Sequence, residues 1–178
     1  MKVLGINGSA NVNGNTHMAL EIVGEILKAE GIEIEIIDLV NHNIKPFSFN
    51  KEAMEDDFIE INEKVQNCDG IILASPVYYS NITSRMMMFI ERIGQMSGRS
   101  LKGKIGASIA IARRAGTNFA YASMNFFFGI HQMPIATSTY WNMSLARTPG
   151  EIKEDAEGIK TLENLGRNIA KMIKKLRT

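Results

Sequence analysis

The chain has 178 residues, enough for about one domain, and its apolar (45%) and charged (22%) fractions are those of an ordinary globular protein. A formal net charge of +1 gives no electrostatic footprint for nucleic acid or for an acidic membrane surface. Cys68 is the only cysteine, so an internal disulfide is impossible and the thiolates of an iron–sulfur cluster are missing.

Lys2-Val-Leu-Gly-Ile reads as a short buried strand. Met18 to Leu27 reads as a helix, with Ala19, Ile22, Val23, Ile26 and Leu27 on one face. Between them lies a polar loop, Gly8 to Thr16. Such a loop, placed ahead of a helix, presents unpaired N–H groups and the positive end of the helix dipole. Ser9, Asn11, Asn13, Asn15 and Thr16 add side-chain donors, and Gly14 lets the backbone turn. The loop reads as a phosphate cradle, although the same composition also suits a polar turn with no ligand. Two better-known phosphate loops are excluded. Five residues separate Gly8 from Gly14, Asn15 stands where a mononucleotide loop needs Lys, and glycines at 5, 8 and 14 do not form the dinucleotide fingerprint.

Further along, Ile32 to Ile37 alternates apolar with charged residues, as a strand with one wet face or at a sheet edge does. Asn50 to Gln66 reads as a polar helix. Gly70 to Ala74 is a continuous apolar run, typical of a central parallel strand, and nearby Cys68 reads as a small buried hydrophobe. Ile82 to Met96 reads as a helix, Lys104 to Ala112 as a buried strand, and Asn118 to Gln132 as a very apolar helix that Pro134 ends. Ile135 to Thr139 reads as the last strand. A closing helix is expected to start at Thr148-Pro149-Gly150-Glu151, with Thr148 as N-cap and Pro149 in the first position. Its core stripe would be Ile159, Leu162, Leu165, Ile169, Met172 and Leu176. No apolar run approaches about 18 residues and the N-terminus carries no leader-like apolar stretch, so a cytoplasmic location is expected.

Alternating strands and helices imply an α/β fold, a single domain over 1–178, with a parallel sheet covered on both faces. A charged second strand suits the order 2-1-3-4-5, in which the ligand site lies beyond the carboxyl ends of strands 1 and 3. Gly8 to Thr16 follows strand 1, and Ser75-Pro-Val-Tyr-Tyr-Ser-Asn-Ile-Thr follows strand 3. Pro76 stops the ladder, while Tyr78 and Tyr79 offer flat aromatic surface among polar Ser80, Asn81 and Thr83. Phosphate donors facing rings suit a phosphorylated planar heterocycle; a tyrosine that merely covers the sheet edge is the simpler alternative.

These two segments, the second continuing through Ser84-Arg-Met-Met-Met-Phe-Ile-Glu-Arg, resemble the FMN-binding segments of the flavodoxin-like NAD(P)H-dependent FMN reductases, close to the iron–sulfur flavoprotein branch. The resemblance implies a flavodoxin-like three-layer sandwich with FMN as cofactor and NAD(P)H as co-substrate. It implies that Ser9, Asn11, Asn15 and Thr16 hold the phosphate and that Pro76, Val77, Tyr78, Tyr79 and Asn81 line the isoalloxazine. Gly116 matches the third loop. The family commonly carries basic residues at the positions of Asn11 and Val12, so this cradle is expected to be neutral. The cysteine cluster of the iron–sulfur branch is absent.

An FMN oxidoreductase passing electrons to a quinone, a flavin, a nitroaromatic or a redox protein is therefore expected. The alternative is a non-enzymatic flavodoxin-type carrier, against which the charge of +1 argues, since such carriers are generally acidic. Arg113 and Arg114 could meet a nicotinamide cofactor's phosphate or only water, and Trp141, following the last strand, could flank a flavin or merely close the core. His17, His42 and His131 are scattered, so no metal is assigned. Phe126-Phe-Phe and Met86-Met-Met-Phe-Ile cannot all face one core, because helix residues advance about 100° each. A homodimer or homotetramer with the flavin near the subunit boundary is expected.

Overall fold

The computed structural model describes residues 1–177, the side chains of Lys51 and Ala53 excepted. Five parallel strands, β1 (Lys2–Asn7), β2 (Glu33–Asp38), β3 (Gly70–Pro76), β4 (Ile105–Ala112) and β5 (Met143–Leu145), lie in the order β2-β1-β3-β4-β5. The order and the edge position of the charged strand are as expected. Helices α1 (Asn15–Ala29) and α5 (Ala156–Arg177) cover one face. Helices α2 (Phe58–Gln66), α3 (Ser84–Ser97) and α4 (Thr117–Ile130) cover the other.

Period-two alternation along the inner strands feeds both cores. Leu4, Ile6, Ile71 and Leu73 pack under α2, α3 and α4, while Val3, Ile72, Ile105, Ala107, Ile109 and Ile111 pack under α1 and α5. A large side chain buried completely in such a core contributes about 1.5–3 kcal/mol. Phe58 and Phe89 meet edge to face at 5.9 Å. Phe128 presses on Gly106, where a Cβ would come within 2.6 Å of its ring, so the approach of α4 to β4 requires glycine.

The structure corrects the last strand, which is not Ile135–Thr139. Ile135 makes one bridge to Gly106, residues 137–141 leave the sheet, and the chain returns as β5 at Met143. Buried Asn142 closes this detour: its backbone carbonyl accepts from Ala110 N–H at 3.0 Å, and its Nδ2 donates to Ala136 O at 3.4 Å. The helix expected over Asn50–Gln66 is also corrected, to a 3₁₀ turn, Lys51–Met54, followed by α2. Between them, Asp56 turns inward to meet Arg92, 36 residues away in sequence.

At the closing helix, Thr148 and Glu151 do form a box: Glu151 Oε2 accepts from Arg147 N–H, Thr148 N–H and Thr148 Oγ1 at 2.7, 2.6 and 3.0 Å. That box precedes a 3₁₀ turn, Glu151–Glu154, entered through left-handed Gly150 (φ 91°). Helix α5 itself starts only at Ala156, with Asp155 Oδ1 accepting from Gly158 N–H at 2.9 Å. Its core stripe ends on buried Ile173; Leu176 is 59% exposed.

Candidate active site

The carboxyl ends of β1, β3, β4 and β5 open on a cleft of about 270 Å³. The loop after β1 supplies Ser9, Asn11, Gly14, Asn15 and Thr16; the end of β3 and its loop supply Pro76, Val77 and Tyr78. Ile111 and Arg113 come from the end of β4, and Ala146, Arg147 and Pro149 follow β5. The two loops singled out in the sequence are neighbours.

The first loop is shaped by short polar side chains. Asn7 Oδ1 accepts from Ser9 N–H at 3.0 Å, Ser9 Oγ from Asn11 N–H at 3.1 Å, and Asn11 Oδ1 from Asn13 N–H at 3.0 Å. Asn7 is itself fixed, because its Nδ2 donates to Asp38 Oδ1 at 2.7 Å. The same carboxylate oxygen accepts from His17 Nδ1 at 2.8 Å. Ser9 thus uses its oxygen as an acceptor and keeps its hydroxyl proton to donate. Thr16 is 2% exposed, and its hydroxyl has no hydrogen-bond partner among the described residues. The first N–H groups of α1 have no carbonyl one turn back within the helix.

Asn15 behaves differently from the other polar residues of this loop. Its Nδ2 donates to Thr148 O at 2.8 Å, and its Oδ1 accepts from Gly150 N–H at 2.9 Å and Ile152 N–H at 3.2 Å. The carboxamide therefore clamps the segment after β5 onto the start of α1.

The second loop is a tight hairpin. Tyr78 and Asn81 exchange backbone hydrogen bonds of 2.9 Å in both directions, and Tyr79 and Ser80 between them are left-handed (φ 52° and 60°). Two left-handed residues are what a two-residue hairpin of this hand requires, at about 1–2 kcal/mol for each that is not glycine. Tyr78 lines the cleft, whereas Tyr79, at 104% exposure, stands outside it on the hairpin tip. Asn81 Oδ1 accepts from Ile82 N–H at 2.8 Å, which fixes the exit into α3. Gly116 is left-handed (φ 89°), and a Cβ there would come within 2.9 Å of Ser80 Oγ and 3.1 Å of Val77 Cγ1. Glycine at 116 lets the third loop close against this hairpin.

Sequence reasoning missed Arg147. With the last strand expected at Ile135–Thr139, Tyr140 and Trp141 fall at the ligand edge. With β5 at Met143–Leu145, that edge belongs to Ala146–Pro149, and Trp141 packs against Tyr140 at 4.9 Å in the detour instead. Arg113 lines the cleft; Arg114 does not. Burial pushes the Cys68 thiol up to about 11, and its Sγ lies 3.1 Å from Val65 O. Among the described residues, no group of three or more His, Cys, Asp or Glu is placed to hold a metal, and no helix is long and apolar enough to cross a membrane.

A doubly wound sheet with an unpartnered hydroxyl at the first helix start and an aromatic hairpin over the adjoining strand defines a flavodoxin-like flavoprotein, with FMN as its cofactor. The chain belongs to the NADPH-dependent FMN reductase family, which it matches over residues 1–148. It is similar to an iron-sulfur flavoprotein of Methanocaldococcus jannaschii, with 32% identity over 189 aligned positions that cover 98% of each chain. Among solved structures it resembles RosB bound to 8-demethyl-8-formylriboflavin-5'-phosphate, with a TM-score of 0.83 at 18% identity, covering 99% of this chain and 80% of that one. An archaeal flavodoxin matches with a TM-score of 0.67 at 16% identity, covering 98% and 99%. The structural likenesses concern the fold.

Proposed function

We propose that the protein is an NAD(P)H-dependent FMN oxidoreductase whose cleft holds the flavin. The observation that carries this reading is the unpartnered hydroxyl of Thr16, a residue buried at the start of α1 that lines the same cleft as Tyr78. Ser9 and Thr16 would donate hydroxyl protons to the phosphate, together with the leading N–H groups of α1. Asn11, exposed at the rim, would add its amide. Pro76, Val77 and Tyr78 would line the isoalloxazine, and the N–H groups of Tyr79 and Ser80 would be available to it at the hairpin tip. When bound, FMN supplies the redox chemistry, taking a hydride from NAD(P)H and passing electrons to a quinone, a flavin or another acceptor.

Arg113, exposed at the mouth of the cleft, suits the phosphate of the nicotinamide nucleotide. A second copy of the chain fits the face of α4 beside the hairpin. Phe119, Phe126 and Ile130 are each more than 70% exposed there, while Phe127 and Phe128 are buried, and Tyr79, Phe119 and Phe126 share one hollow. A homodimer through that face would place the flavin near the subunit boundary.

An absorbance spectrum of the purified protein, followed by NADH and NADPH turnover without an added reductase, tests the reading. Flavin bands with turnover support it. Flavin bands without turnover would indicate a flavodoxin-type carrier, and a protein that neither carries nor binds FMN would overturn the assignment.

A further inference from the structure

The cradle formed by the first loop is neutral, yet a phosphate dianion gains most from a full positive charge nearby. The structure supplies that charge from the other end of the chain. Asn15 makes three hydrogen bonds to Thr148, Gly150 and Ile152, so the segment after β5 is fastened to the start of α1. Arg147, immediately before that clamp, lines the cleft together with Ser9, Asn11 and Thr16.

We propose that Arg147 is the cationic ligand of the FMN phosphate and replaces the basic residues that the first loop lacks; this rests on the flavin assignment above. The guanidinium is free for the role, since it forms no ion pair or hydrogen bond among the described residues. The neighbouring carboxylate, Glu151, is held below its usual range chiefly by the backbone N–H groups of Thr148 and Arg147, with the Arg147 charge only a small contributor. Its Oε2 already accepts from three donors on residues 147 and 148. Those bonds fix the backbone from which the Arg147 side chain departs. The clamp also gives Asn15 a purpose at the helix start: it positions Arg147 and is not itself the main phosphate donor.

The test is a titration of apo protein with FMN and with riboflavin, read by quenching of flavin fluorescence, for the parent, Arg147→Gln and Arg147→Lys. Arg99→Gln removes the same charge at the opposite end of the sheet and serves as control. Arg147→Gln should weaken FMN about three- to tenfold, the discounted worth of an exposed charged hydrogen bond, and leave riboflavin unchanged. Arg147→Lys should recover part of the loss. Between about 10 mM and about 1 M salt, where the screening length falls from about 30 Å to about 3 Å, FMN affinity should fall more in the parent than in Arg147→Gln. Equal losses for FMN and riboflavin, or a loss matched by Arg99→Gln, would overturn the proposal. So would an unchanged FMN affinity, and a raised KM for NAD(P)H beside it would assign Arg147 to the nicotinamide nucleotide. A parent protein that binds neither flavin would instead defeat the flavin assignment itself.

Discussion

Thr83 Oγ1 donates to the Gly8 carbonyl oxygen at 2.8 Å. The same hydroxyl oxygen accepts from Met86 N–H at 3.2 Å as the N-cap of α3. One buried hydroxyl thus joins the loop after β1 to the helix that follows the aromatic hairpin. Thr83→Val should lower stability by about 1–2 kcal/mol and weaken FMN severalfold, while Thr83→Ser should retain most of both. Urea denaturation and flavin titration measure the two effects; a serine variant as impaired as the valine variant would contradict the role given to the hydroxyl.

Ser9→Ala combined with Thr16→Val should weaken FMN at least about tenfold, since each bond to a phosphate is worth about 1.5–3 kcal/mol. Riboflavin, which lacks the phosphate, should bind parent and variant almost equally. Circular dichroism on the variant separates this outcome from a loss of fold.

Acid should attack the structure at Asp56. Burial alone would raise this carboxyl, but hydrogen bonds from Arg92 and from the N–H groups of Lys45 and Phe58 outweigh it and hold it below the usual value. Its stabilisation is therefore complete above the unfolded value of about 4 and is lost as pH falls through the lower folded value. Both side chains are fully buried, and the Arg92 guanidinium also lies 4.6 Å from the centre of the Phe58 ring. Arg92→Met should cost about 3–5 kcal/mol by leaving the carboxylate unpaired. Asp56→Asn should flatten the acid limb of a stability-against-pH curve measured by chemical denaturation.

Phe119→Asp with Phe126→Asp should convert a dimer to a monomer in sedimentation velocity at micromolar concentration. A parent protein that sediments as a clean monomer would remove the basis for the α4 interface.

The purified protein should contain about one FMN per chain and no iron–sulfur cluster, because one cysteine cannot supply the cluster's ligands. Iron and labile sulfide assays decide this directly. Cys68 should also resist alkylation near pH 8, with its thiol pushed up to about 11.

The parts of the molecule legible in the sequence are those whose chemistry is local. Gly8–Thr16 announces a helix start through its own side chains, and the charged alternation of Glu33 and Glu35 announces an edge. Asn15 is legible as a polar residue at that start, but its partners at 148–152 are more than 130 residues away. The Arg92–Asp56 pair is hidden for the same reason. Arg147 is obscured by a three-residue strand, too short to show periodicity, beside the more strand-like Ile135–Thr139.

The detour at 137–141 has a bearing on solubility. An open sheet edge is a template on which another chain can add a strand, and long, flat edges invite aggregation. Here one edge is broken, with a single bridge at Ile135 and only three paired residues at Met143–Leu145. The opposite edge, β2, carries Glu33 and Glu35, which engage Lys2 and Lys64. Neither border offers a long apolar ladder on which another chain could add a strand.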